Sequence, residues 1–320
     1  MAERTARRRR LAEELDELGL DVTGEDRDIL IDEVDHALRP PMHERKVNSS
    51  GTIVHPTTDH DSWASETGLA ITKATAADQP LDAARRFADG LSSWLVRRPD
   101  TPNEWLVFDR PAGSERDLGV VARALGATVV QRHPGGLVRI VGDLGVLRWD
   151  GYNWHHEPPI GTWIDIVRTC GAPDDIGITR ALLEFAVHDL GANGIGALLV
   201  YRETDSAGPE VEHRLPSPPP VRIERPRDLA PLRHALAQVD GAAVFDHDGV
   251  LRQLGVRLVP SREAERTVGA VRGTRHTSGV RYSYDDPTAI VVTVSEDGPV
   301  AVFRAGTMLG RSDTPGAARS

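Results

Sequence analysis

The segment DLAPLRHALAQVDGAAVFDHDGVLRQLGVRLV, residues 228–259, decides the fold of the second half of this chain of 320 residues. It begins with a predicted helix whose apolar face consists of Leu229, Leu232, Leu236 and Val239. From Ala242 onward the pattern predicts two strands joined by a turn at Asp248-Gly249. A helix that leads directly into paired strands indicates an α/β unit.

The neighbouring segments continue this alternation. Upstream, TRALLEFAVHDLG at 179–191 predicts a helix that ends at a glycine, and IGALLVY at 195–201 predicts a buried strand. Downstream, SREAERTVGAV at 261–271 predicts a helix, and TAIVVTVSEDGPVAVFR at 288–304 predicts two strands joined at Asp297-Gly298. We therefore expect one α/β domain over residues 160–310.

A second, smaller α/β domain is predicted over residues 63–159. Its pattern gives a strand near 68–72, a helix over 80–96 and a strand at 104–108, followed by a helix and three short strands. Residues 1–62 open with a basic-then-acidic stretch that is compatible with a helix, and the polar segment 39–61 keeps no sustained period, so we predict an arm or linker. Residues 311–320 predict a disordered tail.

Composition narrows the classes of function. The formal charge of −10 disfavours a nucleic-acid binder that covers a phosphate backbone. No run reaches the roughly 18 apolar residues of a membrane helix, and the first residues lack the apolar core of a signal peptide. Cys170 is the single cysteine, so no intrachain disulfide can form. These features predict a cytoplasmic protein without a membrane partner.

The loop RGTRHTSG, residues 272–279, concentrates donors of hydrogen bonds to anions. A glycine-led loop that enters a helix exposes backbone N–H groups, and the helix dipole favours a negative charge there. Arg275, His276 and three hydroxyl side chains add to these donors. The loop is therefore interpreted as a phosphate cradle or, alternatively, as a capped turn whose arginine pairs with a surface carboxylate.

A second short motif is DGA at residues 240–242. Asp240 stands where a helix gives way to a strand, and Gly241 permits a backbone approach that a side chain would block. The carboxylate is a candidate ligand for a divalent metal. Asp-Gly is also a common turn, which is the alternative interpretation of the same residues.

The order of four motifs resembles the diadenylate cyclase (DAC) family of the DisA type. These are IGALLV at 195–200, DGA at 240–242, GTRH at 273–276 and VSEDG at 294–298. The resemblance covers about residues 160–310. It implies a mixed β-sheet flanked by helices, and synthesis of the second messenger cyclic di-AMP from two ATP molecules with Mg²⁺ or Mn²⁺. It further implies a homo-oligomer whose active sites face each other.

The resemblance also implies roles for individual residues. Asp240 corresponds to the metal-binding aspartate, and Asp240, Arg275 and His276 are the expected catalytic residues. The expected nucleotide-binding residues are Gly241, Ala242, Leu258, Gly273, Thr274, Thr277, Ser278, Ser295 and Glu296. Leu258 is expected to lie against the adenine.

One position departs from the family pattern. The family motif is usually Arg-His-Arg, whereas here Thr277 takes the third position. A missing guanidinium removes a charged donor, for which Arg272 or Arg281 could compensate. Two hypotheses follow, namely an active diadenylate cyclase with a regulatory domain before it, and a catalytically silent module that binds ATP or cyclic di-AMP as a sensor.

Overall fold

The computed structural model describes residues 2–20, 22–43, 46–58, 60–171, 176–203, 209, 211–212, 215–271, 273–296 and 298–312. The chain divides into two compact units, Met1–Pro159 and Ile160–Ser320. Among the described residues, no helix combines the length and the apolar character needed to cross a membrane.

The first unit is built around one mixed sheet. Its helices are α1 (Ala2–Glu17), α2 (Gly24–Leu38), α3 (His60–Thr67), α4 (Leu81–Arg85) and α5 (Glu115–Leu125). Its strands are β1 (Met42–His43), β2 (Lys46–Val47), β3 (Ser50–Val54), β4 (Ile71–Thr75), β5 (Ser93–Arg97), β6 (Glu104–Phe108), β7 (Thr128–Arg132), β8 (Val138–Gly142), β9 (Gly145–Trp149) and β10 (Trp154–Glu157). Within the described residues the main sheet has the order β10-β9-β8-β7-β3-β5-β6-β4.

The prediction of an arm or linker over residues 1–62 is wrong. Helices α1 and α2 bury Leu15, Leu30 and Val34 in one core with residues of the sheet, and β3 is an inner strand paired with β5 and β7. Helix α2 carries an apolar spacing typical of a helix, at Leu30, Ile31, Val34 and Leu38, which the prediction overlooked. Helix α1, with the RRRR run at 7–10, has fewer apolar residues, and its burial comes from tertiary contacts.

The long helix predicted over residues 80–96 is also wrong. Helix α4 ends at Arg85, and the chain then turns at Asp89, whose carboxylate accepts hydrogen bonds from the backbone N–H groups of residues 91, 92 and 93. Gly90 follows with φ +71°. Strand β5 begins at Ser93 and buries Trp94. The Asp-Gly turn outweighs the apolar spacing here.

The second unit surrounds another mixed sheet. Its helices are α6 (Ile160–Thr169), α7 (Gly177–Glu184), a π-helical turn (Phe185–Leu190), a 3₁₀ turn (Gly191–Asn193), α8 (Pro226–Leu236), α9 (Arg262–Thr267) and α10 (Thr274–Asp285). Its strands are β11 (Ala197–Tyr201), β12 (Val211–Glu212), β13 (Ala242–Phe245), β14 (Leu251–Leu258), β15 (Ile290–Val294), β16 (Val300–Arg304) and β17 (Thr307–Arg311). The strand order is β12-β14-β13-β11-β15-β16-β17.

Both faces of this sheet are covered, as the family resemblance implies. Strands β11 and β13 are parallel, with Leu198 opposite Ala242, and the crossover between them contains α8. Leu199 and Leu236 belong to the core on one face, whereas Leu198 and Val280 of α10 belong to the core on the other. The mixed α/β fold with flanking helices is confirmed.

Two elements of this unit escaped prediction. Helix α6 buries Trp163 and Val167, although its sequence follows a proline-rich stretch. Strand β17 extends into the predicted tail as far as Arg311, and the Ser312 hydroxyl accepts a hydrogen bond from the Val300 backbone N–H group. Residues 313–320, the rest of that tail, lie outside the described residues, as does Asp297 of the predicted hairpin turn.

Candidate functional site

A cavity of about 570 Å³ opens in the second unit where β11 and β13 begin and where β14 and β15 end. It lies on the face of the sheet that carries α10. Helix α10 begins at this cavity, so the DGA motif, the GTRH motif and the end of β15 all reach it. The crossover topology brings together segments that are more than 50 residues apart in sequence.

The start of α10 has the features of an anion-binding face. Gly273 precedes the helix with φ +99°, a backbone conformation that favours glycine. The N–H groups of the first helical turn have no acceptor within the helix, and the helix dipole places partial positive charge there. Thr274, Arg275 and Ser278 of this turn line the cavity.

Thr277 does not line the cavity, in contrast to the prediction that it binds the nucleotide. Its hydroxyl donates to the carbonyl oxygens of Val271, at 2.8 Å, and Gly273, at 3.1 Å, and accepts from the N–H group of Val271. The side chain therefore fixes the loop that precedes α10. By holding this loop, Thr277 supports the start of α10 without lining the cavity.

Arg275 is held at the cavity wall by Glu296. Both terminal nitrogens of the guanidinium lie 3.3 Å from Glu296 Oε1. A Cβ atom at Gly196 would lie 2.4 Å from Arg275 Nη1, so the glycine leaves the space that the guanidinium occupies. Glu296 is 71% exposed, and the pair is consistent both with the phosphate cradle and with the alternative of an arginine paired with a surface carboxylate.

His276 is the buried member of the motif, with 7% of its surface exposed. Its ring packs edge-on against Phe303, with centroids 5.9 Å apart. Its Nε2 atom is buried and has no hydrogen-bond partner among the described residues. Burial, assisted by the positive charge of Arg311, lowers the pKa of His276, so the ring is neutral near pH 7.

The DGA motif forms the opposite wall. Gly241 has φ +111°, and a Cβ atom there would lie 2.7 Å from the carbonyl carbon of Gly255. The glycine thus allows β13 and β14 to approach closely, and Ala242 is fully buried behind it. The Asp240 side chain is exposed and lines the cavity.

The structure brings eleven of the twelve predicted site residues to one cavity. They are Asp240, Gly241, Ala242, Leu258, Gly273, Thr274, Arg275, His276, Ser278, Ser295 and Glu296. Their individual roles in binding or catalysis stay predictions. Neither suggested substitute for the missing guanidinium is seen at the cavity: Arg281 donates to the Val268 carbonyl oxygen instead, and Arg272 lies outside the described residues.

Three further lining residues were not predicted, namely Leu198, Val256 and Arg257. Val256 could have been found from the period of two along a strand, because it precedes Leu258 by two residues. Arg257 is an exposed residue near the end of β14, and its guanidinium lies 3.4 Å from Glu212. Leu198 carried no signal that separates it from the other apolar residues of β11.

The described carboxylates can bind a metal ion only if a bound ligand supplies further donor atoms. No group of three or more His, Cys, Asp or Glu side chains with the arrangement of a metal site occurs in the part of the chain that the structure describes. Asp240 offers a single hard oxygen donor group to the cavity. Mg²⁺ and Mn²⁺ accept such a site when phosphate oxygens complete the coordination, so the donor set fits.

Two family models match the chain. Residues 184–308 match the DAC model, described as DisA bacterial checkpoint controller nucleotide-binding. Residues 9–157 match the DACNK model, described as a probable sensor domain. The second match includes most of the segment that the sequence had suggested to be a linker, in agreement with the packing of α1 and α2.

Other comparisons add little. No curated protein matches the chain. A crystal structure of a hypothetical membrane spanning protein from Bacillus cereus is 18% identical, covering 41% of this chain and 61% of that chain, less than two thirds of its length. The TM-score of 0.29 is too low to define a shared fold. The two family matches show that the chain carries a DAC-family nucleotide-binding domain in its C-terminal half, preceded by a DACNK sensor domain.

Proposed function

We propose that the second unit is a diadenylate cyclase, a nucleotidyltransferase that condenses two ATP molecules into cyclic di-AMP and releases pyrophosphate. The observation that carries this proposal is that one cavity contains both the Asp240 carboxylate and the start of α10 with Arg275. A carboxylate and an anion-binding helix terminus are the two features that a metal-assisted transfer of a nucleotide requires.

The triphosphate lies along the start of α10. Backbone N–H groups of the first turn, the Arg275 guanidinium and the hydroxyl groups of Thr274 and Ser278 donate hydrogen bonds to its oxygens. The apolar side chains of the cavity, Leu198, Val256 and Leu258, contact the adenine ring. Positioning and charge neutralisation are then the main contributions of the protein.

Asp240 would hold the divalent metal at this cavity. When bound, Mg²⁺ or Mn²⁺ would lower the pKa of the ribose 3′-hydroxyl and offset negative charge on the phosphates. In each transfer, a bond forms between the 3′-oxygen and the α-phosphorus, the bond from the α-phosphorus to the β-phosphate oxygen breaks, and the hydroxyl proton is lost. Two such transfers close the cyclic dinucleotide.

The reaction requires two ATP molecules that face each other. The 3′-hydroxyl of each ATP must reach the α-phosphate of the other in line with the leaving pyrophosphate. With one ATP in each cavity, a homo-oligomer with facing sites supplies that geometry. The proposed mechanism thus requires ATP, a divalent metal and a second copy of the chain, and the cytoplasmic location stays a prediction.

The alternative is a silent module that binds ATP or cyclic di-AMP without turnover. The commitment of the Thr277 hydroxyl to the loop backbone favours it, because this position offers no donor to the nucleotide. A preceding sensor-family domain is compatible with either function.

Mass spectrometry of the reaction products separates the two functions. The full chain is incubated with ATP and either Mg²⁺ or Mn²⁺, beside Asp240→Asn and the control Asp165→Asn, which changes an exposed aspartate of α6. A cyclase gives cyclic di-AMP with the wild type and the control but not with Asp240→Asn. ATP binding measured by calorimetry without any dinucleotide product would instead establish the silent module.

A further inference from the structure

A separate cavity of about 450 Å³ lies in the first unit, beside α2, α4 and the start of β3. Four arginines line it, Arg7, Arg39, Arg85 and Arg86, against two aspartates, Asp35 and Asp82. The lining therefore carries an excess of two positive charges. Its volume falls within the range of small-molecule sites in proteins.

The carboxylates behind the lining do not cancel this excess. Arg85 is buried and lies 2.6 Å from both Asp32 and Glu33. These two carboxylates are also paired with Arg8 and Arg97, so each negative charge of the second layer is matched by a further guanidinium. The excess of two positive charges remains after this layer is included.

Arg86 is the lining arginine that is most available to bind an anionic ligand. It is exposed at the cavity and makes no ion pair with any residue in the described ranges of the chain. Arg39 is half exposed and is held 2.8 Å from Asp35. The wall across from them contributes neutral side chains that can donate hydrogen bonds, namely Asn48, Ser49 and Ser50.

His36 is the side chain of the lining whose ordinary pKa lies closest to pH 7. It lines the cavity, and burial together with the positive charge of Arg85 lowers its pKa. The nearby carboxylates of Glu33, Asp35 and Asp82 act in the opposite direction and do not restore it. The ring is therefore neutral near pH 7 and adds a hydrogen-bonding nitrogen without adding charge.

We propose that this cavity binds a small molecule that carries a phosphomonoester. Such a group bears about 1.5 to 2 negative charges at pH 7, which matches the excess charge of the lining, and it presents three acceptor oxygens. Arg86 and Arg39 bind the phosphoryl oxygens, since guanidinium forks fit them in a bidentate manner. The hydroxyl and amide donors across the cavity bind the remainder of the molecule. This site is distinct from the nucleotide cavity of the second unit and does not depend on the cyclase proposal.

Calorimetric titration of the full chain with ribose 5-phosphate tests the site, with ribose and succinate as comparison probes. We expect binding of ribose 5-phosphate and none of ribose. Arg86→Gln and Arg39→Gln should each weaken this binding by at least about tenfold, because each removes a charge-assisted contact. The matched control Arg123→Gln changes an exposed arginine of α5 that does not line the cavity, and it should bind as the wild type does.

Three results would overturn the proposal. The first is absence of heat of binding with ribose 5-phosphate up to about 10 mM, beyond the weak end of specific affinities. The second is binding that Arg275→Gln abolishes and Arg86→Gln leaves intact, which would assign the ligand to the second unit. The third is tighter binding of succinate, which would define a carboxylate site instead. None of these results bears on cyclic di-AMP formation.

Discussion

Replacing Gly196 by alanine should damage the candidate site while leaving the fold intact. The added Cβ atom would lie 2.4 Å from Arg275 Nη1 and 2.9 Å from Glu296 Cγ. Ordinary contact requires about 3.5 Å, so the guanidinium must move by about 1 Å. The atoms that would clash belong to the ends of two flexible side chains, and the backbone of Gly196 does not have the positive φ that alanine avoids.

The expected loss follows from that displacement. A charge-assisted hydrogen bond to phosphate is worth about 1.5–3 kcal/mol, so ATP should bind roughly 10- to 150-fold more weakly. A misplacement of about 1 Å in a reacting group lowers turnover by about a hundredfold. Calorimetry measures the affinity, product formation measures turnover, and thermal melting checks that the fold is unchanged.

Gly269→Ala is the matched control, because a Cβ atom there meets nothing within 4 Å. It should change neither affinity nor melting temperature. If Gly196→Ala binds ATP as tightly as Gly269→Ala does, Arg275 does not contact the triphosphate, and the cradle interpretation of the loop is refuted.

Three further outcomes are expected. Gly241→Ala should lower the free energy of unfolding by about 1–3 kcal/mol in denaturant titrations, because it places a side chain at φ +111°; equal stability would show that the backbone there relaxes freely. His276 should titrate below its ordinary pKa of 6.5 by NMR. Since the unfolded chain then binds this proton more readily, the stability that His276 contributes should fall as the pH drops through about 6.5, and His276→Gln should remove this dependence. Arg148→Met should destabilise the first unit by about 3–5 kcal/mol, because it leaves the buried Glu115 carboxylate, 2.6 Å from Arg148, without that partner; an unchanged melting curve would contradict this role.

The local signals of the second unit were strong enough to predict its main elements. Strongly apolar segments predict the strands β11 and β15, and the spacing of Leu229, Leu232 and Leu236 predicts α8. The first unit was harder to predict. Helix α1 is mainly charged, and its few apolar residues can be assigned to the core only from the packing, whereas the apolar spacing of α2 was a local signal that the prediction overlooked.

The candidate site shows the same division. Short motifs with special backbone or charge requirements, around Gly241 and Arg275, could be recognised along the chain because glycine conformations and donor clusters are local properties. Leu198 and Arg257 could not be recognised in this way, because an apolar strand residue and an exposed arginine carry no sequence signal for the surface that they line. Thr277 was placed in the site by sequence position alone, whereas its hydroxyl is used by the loop behind it.

Periodicity, glycine positions and motif order were enough to predict the α/β class of the second unit and to carry the DAC-family resemblance, and they also predict an anion-binding loop that stays a prediction. Only the tertiary structure decided that Asp240 and Arg275 share a cavity, because the parallel pairing of β11 and β13 sets that distance. The cationic cavity of the first unit also belongs to the tertiary structure. Its arginines lie on α1 and at the ends of α2 and α4, of which α2 and α4 are separated by more than 40 residues, and their excess charge exists only once those helices meet.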